Sequence, residues 1–165
     1  MPQRPDLSVV IVNWNTRDLL AQCLSSIYIY PPVDEFEVLV VDNLSSDGSV
    51  QMVRERFPQV RLIQNTENVG FARANNQAIL ESTGRYVLLL NPDTEILPDA
   101  LLTLLDFIEE HPEAGAIGPM ILNPDFTLQS SCNPMPTLWR EFWHLMHLDP
   151  ILPQSVYREE RWDTT

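Results

Sequence analysis

Three clusters of polar residues in this sequence each follow a short apolar run: Asn13-Trp14-Asn15, Asp42-Asn43 and Asn91-Pro92-Asp93. A carboxylate and an aromatic ring at one edge of a sheet can hold a planar base, because the ring stacks on the base and the carboxylate accepts its N–H. Asp93 can bind a divalent cation, since Mg²⁺ and Mn²⁺ prefer hard oxygen ligands. Together the clusters predict a site for a planar base with a metal-neutralised diphosphate.

Each of these residues also has a plainer interpretation. Asp42 could cap a turn, Trp14 could be a core or rim aromatic, and a single Asp after a strand, such as Asp93, is more often a turn residue than a metal ligand. The convergence of three such strand ends favours the functional interpretation, because the carboxyl ends of parallel strands form one edge where ligands bind.

Alternating short strands and helices would position these clusters. Continuous apolar runs predict strands over residues 7–12, 36–41, 60–63 and 86–90, with a further one over 116–122. Helical spacing of apolar residues predicts helices between them, with buried faces that include Leu19, Leu20, Cys23, Leu24 and Ile27 in the first and Phe71, Ala74, Ala78 and Ile79 in the third. Short connections then predict an α/β fold with a mostly parallel sheet and helices on both faces.

Two finer expectations follow from the same pattern. The run over 86–90 predicts a central strand buried on both faces, which ends at Pro92 because proline cannot donate a ladder hydrogen bond. Gly84 is expected to be the residue that terminates the third helix.

Composition excludes several classes of function. The net charge is −13, from 10 basic and 23 acidic residues, which disfavours a nucleic-acid partner. The sequence has neither GxGxxG after the first strand nor GxxxxGK[ST], which argues against a dinucleotide fold and a P-loop. Two distant cysteines, Cys23 and Cys132, predict buried thiols rather than a disulfide. We expect neither a signal peptide nor a membrane-spanning segment.

The pattern weakens after Asn123. Residues 138–148 predict a helix rich in Trp and Leu, which could be a core element, a partner surface or a membrane-surface contact. The pair His144 and His147 has no Glu between its members and no third ligand nearby, so we interpret both as ordinary helix residues.

Four strings in order resemble one known family: VVIVNWN, VLVVDNLSSDGS, NVGFARANNQAI and YVLLLNPDT. They resemble the inverting nucleotide-sugar glycosyltransferases of the second sequence family, which have the GT-A fold, and within it the rhamnosyltransferase-like branch. The resemblance covers roughly residues 7–122, and the four strings are specific together although each alone is weak.

The resemblance implies roles for individual residues. Val12, Asn13, Trp14 and Asn15 match the first nucleotide-binding loop, and Asp42 matches the aspartate that binds the base. The remaining matches are Asn68, Gly70, Asn75 and Asn76, in the loop and helix that follow the nucleotide, and Asn91 and Asp93, in the metal-binding DxD motif. Because Asn91 replaces the first Asp of that motif, Asp93 is expected to be the metal ligand for Mg²⁺ or Mn²⁺.

The resemblance also implies a domain organisation and an activity. Residues 1–125 would form the nucleotide-sugar-binding domain and 126–165 the beginning of the acceptor side. The catalytic base is expected in a later segment that we do not find before Thr165, so no catalytic residue is assigned and the chain would be incomplete for turnover.

The expected reaction moves a sugar, from a dTDP- or UDP-linked donor and with rhamnose suggested by the branch, to an acceptor hydroxyl with inversion. The expected acceptor is a glycan or a lipid-linked molecule in polysaccharide or cell-envelope synthesis. The expected location is the cytoplasm, with peripheral association at the inner face of the membrane and homo-oligomerisation both left open. A non-catalytic nucleotide-binding or scaffold module is the alternative. A nucleotidyltransferase ranks last, because its Gly-rich loop with Arg or Lys is absent.

Overall fold

A computed structural model of the chain describes residues 5–33, 35–129, 142 and 145–146. The chain divides into two compact units, Met1–Ile117 and Gly118–Thr165. The domain boundary expected at residue 125 remains a prediction. The helix expected over 138–148 lies almost entirely outside the described residues, as do Cys132, His144 and His147.

The first unit alternates strands and helices as the sequence predicts. Its elements are β1 (Leu7–Asn13), α1 (Arg17–Ile29), β2 (Phe36–Asp42), α2 (Ser49–Arg56), β3 (Arg61–Gln64), α3 (Phe71–Glu81), β4 (Tyr86–Leu90) and α4 (Ala100–Glu110). The four strands form one parallel sheet in the order β3-β2-β1-β4. The predicted α/β class with a mostly parallel sheet is confirmed.

The sheet packs an apolar core on each face, because successive side chains of a strand point to opposite faces. On β1, Val9 and Ile11 belong to a core shared with α1, α2 and α4. Val10 and Val12 belong to a second core, which Ala74 and Ala78 of α3 cover. The helices therefore lie on both faces of the sheet, as predicted. No helix among the described residues is long and apolar enough to cross a membrane.

The prediction of a central, doubly buried strand over 86–90 is wrong. Among the described strands, β4 pairs with β1 alone and forms an edge of the sheet. Leu88 and Leu90 pack on the first core, whereas Leu89 on the opposite face is 51% exposed. The reason is that α3 packs on β1 and β2, so it leaves this face of β4 uncovered by the described residues.

The strand predicted over 116–122 is also much shorter than expected. Of that run, the structure has a strand only over Ile121–Leu122 (β5), and this strand pairs antiparallel with β6 (Leu128–Gln129) across a turn. Phe126 has a φ of 64° in that turn. The apolar run therefore ends in a small hairpin, not in a further parallel strand.

Gly84 does not terminate α3, which ends at Glu81 with Ser82 as its C-cap. A Cβ atom at Gly84 would lie 2.5 Å from Ser8 Oγ and 2.6 Å from Ser8 N. The Gly84 N–H donates to Ser8 Oγ at 2.8 Å, and Ser8 Oγ donates to Glu37 Oε1 at 2.7 Å. The glycine is required here because the chain leading into β4 passes directly against the backbone of β1.

We expect Gly84→Ala to lower the free energy of unfolding by about 1 to 3 kcal/mol, because the added methyl group must displace strand backbone. Urea denaturation measures this change. Gly115→Ala is the matched control, since a Cβ at Gly115 would have no neighbour within 4 Å. Equal midpoints for the two variants would contradict this account of Gly84.

Candidate functional site

A buried hydrogen bond joins the carboxyl ends of β1 and β2. Asn13 Nδ2 donates to Asp42 Oδ1 at 2.8 Å, and both residues are almost fully buried. The two residues are direct partners in the strand register, and the Asn43 N–H donates to the Asn13 carbonyl at 2.8 Å. The first two polar clusters therefore meet at one edge, as the sequence predicts for neighbouring strands.

Ser45 links the two loops that follow these strands. Its N–H donates to Asp42 Oδ2 at 2.9 Å, and its hydroxyl oxygen accepts from the Asn15 N–H at 2.9 Å and from Asn13 Nδ2 at 3.0 Å. Asn15 Oδ1 in turn accepts from the Ser46 N–H at 2.8 Å. Asn15 therefore helps to fix the two loops in one conformation, and its predicted contact with a nucleotide stays a prediction.

Asp47 caps two helices with one carboxylate. Its Oδ2 accepts from the N–H of Arg17, the first residue of α1, at 2.8 Å, and its Oδ1 accepts from the N–H of Ser49, the first residue of α2, at 3.0 Å. Partial burial by itself would raise the pKa of Asp47. The hydrogen bonds that the carboxylate accepts from the Ser49 hydroxyl and from the two backbone N–H groups have the larger effect, so the pKa lies below its ordinary value. Asp47 thus positions the helices on either side of the site.

A cavity of about 340 Å³ opens beside these loops. It brings together residues of all three polar clusters with Asn68, in the loop before α3, and Phe71, the first residue of α3. Its walls are Val12, Trp14, Thr16, Leu19, Asn43, Asn68, Phe71, Asn91, Pro92 and Asp93. Five of the site residues implied by the resemblance therefore line one space: Val12, Trp14, Asn68, Asn91 and Asp93.

The other implied site residues do not line this cavity. Asn13 and Asp42 bond to each other in the buried position described above. The N–H of Gly70, which has a φ of 82°, donates to Asn68 Oδ1 at 3.0 Å. Asn75 is buried and its Nδ2 donates to the Phe71 carbonyl at 3.0 Å, whereas Asn76 is exposed on α3. Their roles as ligand contacts stay predictions.

Five cavity residues were not among the site residues that the resemblance implied: Thr16, Leu19, Asn43, Phe71 and Pro92. Phe71 and Leu19 were expected in buried helix faces, yet Phe71 is 60% exposed and Leu19 is 45% exposed. Helical periodicity cannot separate a residue that faces the core from one that faces a cleft beside it. Asn43 belongs to one of the three polar clusters, but the resemblance implies no role for it; its side chain is oriented by a hydrogen bond from Asn65 Nδ2, which a local pattern does not reveal.

Within the part of the chain that the structure describes, Asp93 is the one ionisable residue among the cavity walls. The described residues contain no group of three or more His, Cys, Asp or Glu that could hold a metal ion by themselves. Asp93 and the Asn91 side-chain oxygen fit a cation that completes its coordination with ligand phosphates and water, as Mg²⁺ commonly does. This donor set fits a cation that binds together with a diphosphate.

Cys23 of α1 packs against Asn91, one of the cavity walls. Its Sγ lies 3.7 Å from the carbonyl oxygen of Asn91. Burial, with the nearby charges of Asp93 and Glu95, raises the pKa of the thiol to about 12. Cys23 is a free, buried thiol, in agreement with the sequence-based expectation.

The family model that matches this chain is glycosyl transferase family 2, over residues 8–147. The chain belongs to this family. It is 34% identical to the N-acetylglucosaminyl-diphospho-decaprenol L-rhamnosyltransferase of Mycobacterium tuberculosis, over 94% of this chain and 55% of that protein. The chain thus spans about half the length of this relative. The resemblance seen in the sequence is confirmed.

Solved structures support the GT-A fold. A mannosyltransferase from Pyrobaculum calidifontis in complex with GDP-Man and Mn²⁺ is 28% identical, with a TM-score of 0.62 over 75% of this chain and 37% of that one. Residues 1–349 of S. aureus TarS in complex with UDP are 29% identical, with a TM-score of 0.59 over 65% of this chain and 33% of that one.

We expect Asp47→Ala to lower the free energy of unfolding by about 1 kcal/mol near neutral pH, because two helix N-termini lose their cap. The ionised carboxylate is the stabilising form, so its contribution is complete above the unfolded pKa of about 3.9 and is lost as pH falls through the lower folded pKa. The difference from the wild type should therefore shrink below about pH 4. Urea denaturation at neutral and acidic pH measures it.

Asp106→Ala is the matched control for this prediction, because Asp106 is exposed on α4 and does not line the cavity. A difference between Asp47→Ala and the wild type that is the same at both pH values would contradict the capping role of the carboxylate.

Proposed function

We propose that this chain forms the donor-binding part of an inverting glycosyltransferase that uses a nucleoside-diphosphate sugar. The observation that supports this most is the cavity itself, which combines two exposed aromatic rings with one carboxylate at the carboxyl edge of a parallel sheet. Family membership and the UDP and GDP-Man complexes of the structural neighbours support the same class of ligand.

The nucleobase would stack on Trp14. The indole is 57% exposed and lines the cavity, so it offers a flat apolar surface on which a base can stack. Phe71 is exposed on the same cavity and offers a second aromatic surface. We infer that Asp42 acts mainly by holding the first loop in place, since both of its oxygens already accept hydrogen bonds from Asn13 and Ser45.

The diphosphate would lie toward Asp93 and Asn91. Among the described residues no cationic side chain lines the cavity, so we infer that a dianionic ligand binds with a metal ion that offsets the charge of Asp93. Asp93, with Asn91, would hold Mg²⁺ or Mn²⁺, which stabilises the leaving diphosphate. Asn68 and Gly70 would shape the loop beside the phosphates, and Asn75 and Asn76 would belong to the helix that follows.

In the proposed reaction a general base accepts the proton of an acceptor hydroxyl. The oxygen attacks the anomeric carbon while the bond to the diphosphate breaks, so the configuration at that carbon inverts in one displacement. We assign the base to no residue of this chain. The cavity residues would bind the donor, orient its anomeric carbon and receive the charge of the leaving group.

The proposed acceptor is lipid-linked, and the proposed location is the cytoplasmic face of a membrane. The name of the mycobacterial relative describes N-acetylglucosaminyl-diphospho-decaprenol, a lipid-linked sugar, and the transfer of L-rhamnose. We propose a deoxysugar donor linked to dTDP or UDP on this similarity.

A non-catalytic nucleotide-binding module remains the second candidate. Asn91 at the first position of the metal motif favours it, because the site has one carboxylate where the family motif has two. Metal-dependent nucleotide binding without sugar transfer, in a chain that contains the acceptor half, would select this candidate.

We expect Asp93→Asn to abolish the dependence of UDP or dTDP binding on Mn²⁺ and to weaken binding by about 10- to 100-fold, because the charged ligand of the cation is lost. Isothermal titration calorimetry with and without Mn²⁺ measures both effects. Asp106→Asn removes one negative charge at an exposed position outside the cavity and should bind as the wild type does. Unchanged Mn²⁺ dependence in Asp93→Asn would overturn the metal assignment.

We expect Trp14→Ala to weaken nucleotide binding by about 1 to 3 kcal/mol, the usual cost of losing one base–aromatic stacking contact. Because ribose 5-phosphate carries no base, its binding should not change. The control is Leu80→Ala, which removes a highly exposed apolar side chain from α3 outside the cavity. Equal losses for nucleotide and ribose 5-phosphate would show that Trp14 does not stack on the base.

A further inference from the structure

Helix α1 contacts the segment that follows β4 at two points. We call residues 91–96 the motif segment, because they include the polar cluster after β4. At the start of this segment the Cys23 thiol donates to the Asn91 carbonyl oxygen at 3.7 Å. At its end the Ile96 N–H donates to Ser26 Oγ at 2.9 Å. The motif segment is therefore bonded to a helix as well as to the strand before it.

The Ser26 hydroxyl is a polar group on the apolar face of α1. Ser26 is 8% exposed and lies beside Cys23 and Ile27, which belong to the first core. Its hydroxyl donates to the Cys23 carbonyl at 2.8 Å, so its oxygen can accept from the Ile96 N–H. A buried hydroxyl is unfavourable unless it is hydrogen-bonded. The bond to the motif segment therefore accounts for a serine at this position of the helix.

Asp93 lies in a turn between the two contacts with α1. The Thr94 N–H donates to the Asn91 carbonyl at 3.2 Å, and the Cys23 thiol contacts the same oxygen. After the turn, Ile96 is buried and packs in the first core. Asp93 itself is exposed and lines the cavity. The backbone of Asp93 is thus held from both sides while its carboxylate stays accessible.

The contacts with α1 matter because β4 is an edge of the described sheet. Within this sheet β4 pairs with β1 alone, so inter-strand hydrogen bonds restrain the start of the motif segment from one side. Helix α1 supplies a second restraint, from the face of the sheet that carries the first core.

We propose that Ser26 is a positioning residue for the cation and the diphosphate. Through the Ile96 N–H it holds the motif segment, so that Asp93 and Asn91 present their oxygens at one fixed point of the cavity wall. A ligand residue that is held in place before binding loses less conformational freedom when the cation arrives. The inference rests on the proposed function, and it adds the residue that sets the geometry of the phosphate end.

The substitution Ser26→Ala removes the acceptor of the Ile96 N–H. With Mn²⁺, the variant should bind UDP or dTDP, whichever the wild-type protein binds more tightly, about tenfold more weakly, the order of loss seen when a partner that orients a metal ligand is removed. Its affinity for the matching nucleoside, uridine or thymidine, should not change, because a nucleoside carries no phosphate. Calorimetry measures the first affinity and an NMR titration the second. Ser26→Thr keeps a hydroxyl and should restore most of the nucleotide affinity.

The matched control is Ser25→Ala, on the same helix. The Ser25 hydroxyl donates to the Ala21 carbonyl at 2.6 Å, a bond within α1. This variant should keep both the nucleotide and the nucleoside affinity. Equal losses of the two affinities in Ser26→Ala would show a general effect on the fold and would overturn the positioning role.

Amide hydrogen exchange, followed by NMR, tests the contact without a ligand. In folded wild-type protein the Ile96 N–H should be protected, because Ser26 Oγ accepts its hydrogen bond in a buried place. Exchange at the rate of an unstructured peptide would overturn the proposal whether or not Ser26→Ala folds. In Ser26→Ala this amide should exchange at least about tenfold faster than in the wild type or in Ser25→Ala, and an unchanged rate would also overturn the proposal.

The outcomes separate this inference from the proposed function. If the Ile96 N–H of Ser26→Ala exchanges faster but the variant binds the nucleotide with Mn²⁺ as the wild type does, the positioning role is overturned and the donor site stands. If folded wild-type protein binds neither UDP nor dTDP with Mn²⁺, the proposed function fails, and the positioning role fails with it even where hydrogen exchange detects the bond to Ser26.

Discussion

The hydrogen bond from Asn13 to Asp42 is the constraint on which the site depends. It lies between the last residues of two adjacent strands, where the chain must leave the sheet in two separate loops. A buried carboxylate is tolerated there because Asn13 and the Ser45 N–H satisfy its oxygens. The same contacts bring the two loops together through Ser45, so Trp14 and Asn43 leave the sheet side by side. The bonds of Asn15 to Ser45 and Ser46 add to this link, so the loops beside the cavity are held in place by the protein itself.

Residues that bond within the protein and residues that line the cavity lie on different faces of the sheet at its carboxyl edge. Asn13 and Asp42 are used for internal bonding, and Asp47 completes this structural side by capping α1 and α2. Trp14 and Asn43, with Phe71 at the beginning of α3, form the cavity walls on the other side. A site built in this way is preorganised, because the residues that would touch a ligand are positioned by residues that do not.

Most of the architecture could be predicted from the sequence, because apolar runs and their periodicity report directly on local structure. The eight elements of the first unit and the convergence of Trp14 and Asp93 on one cavity follow from it. Two features could not be predicted. The exposed face of β4 depends on where α3 lies, and the need for glycine at residue 84 depends on a neighbour 76 residues away in the sequence. Asn43 and Phe71 were missed for the same reason, since their directions are set by tertiary contacts rather than by local pattern.

The edge position of β4 has a consequence for how the cavity responds to a ligand. The end of the cavity at Trp14 and Asn43 arises from β1 and β2, which have partners on both sides. Asn91 and Asp93 follow a strand that, within the described part of the sheet, has one neighbour. A strand with half as many inter-strand hydrogen bonds opens locally at a lower free energy and exchanges its amide hydrogens sooner. The two ends of one cavity therefore differ in local stability: the end at Trp14 is held by strands with two neighbours, whereas the end at Asn91 and Asp93, where we propose that the metal and the diphosphate bind, can adjust more easily.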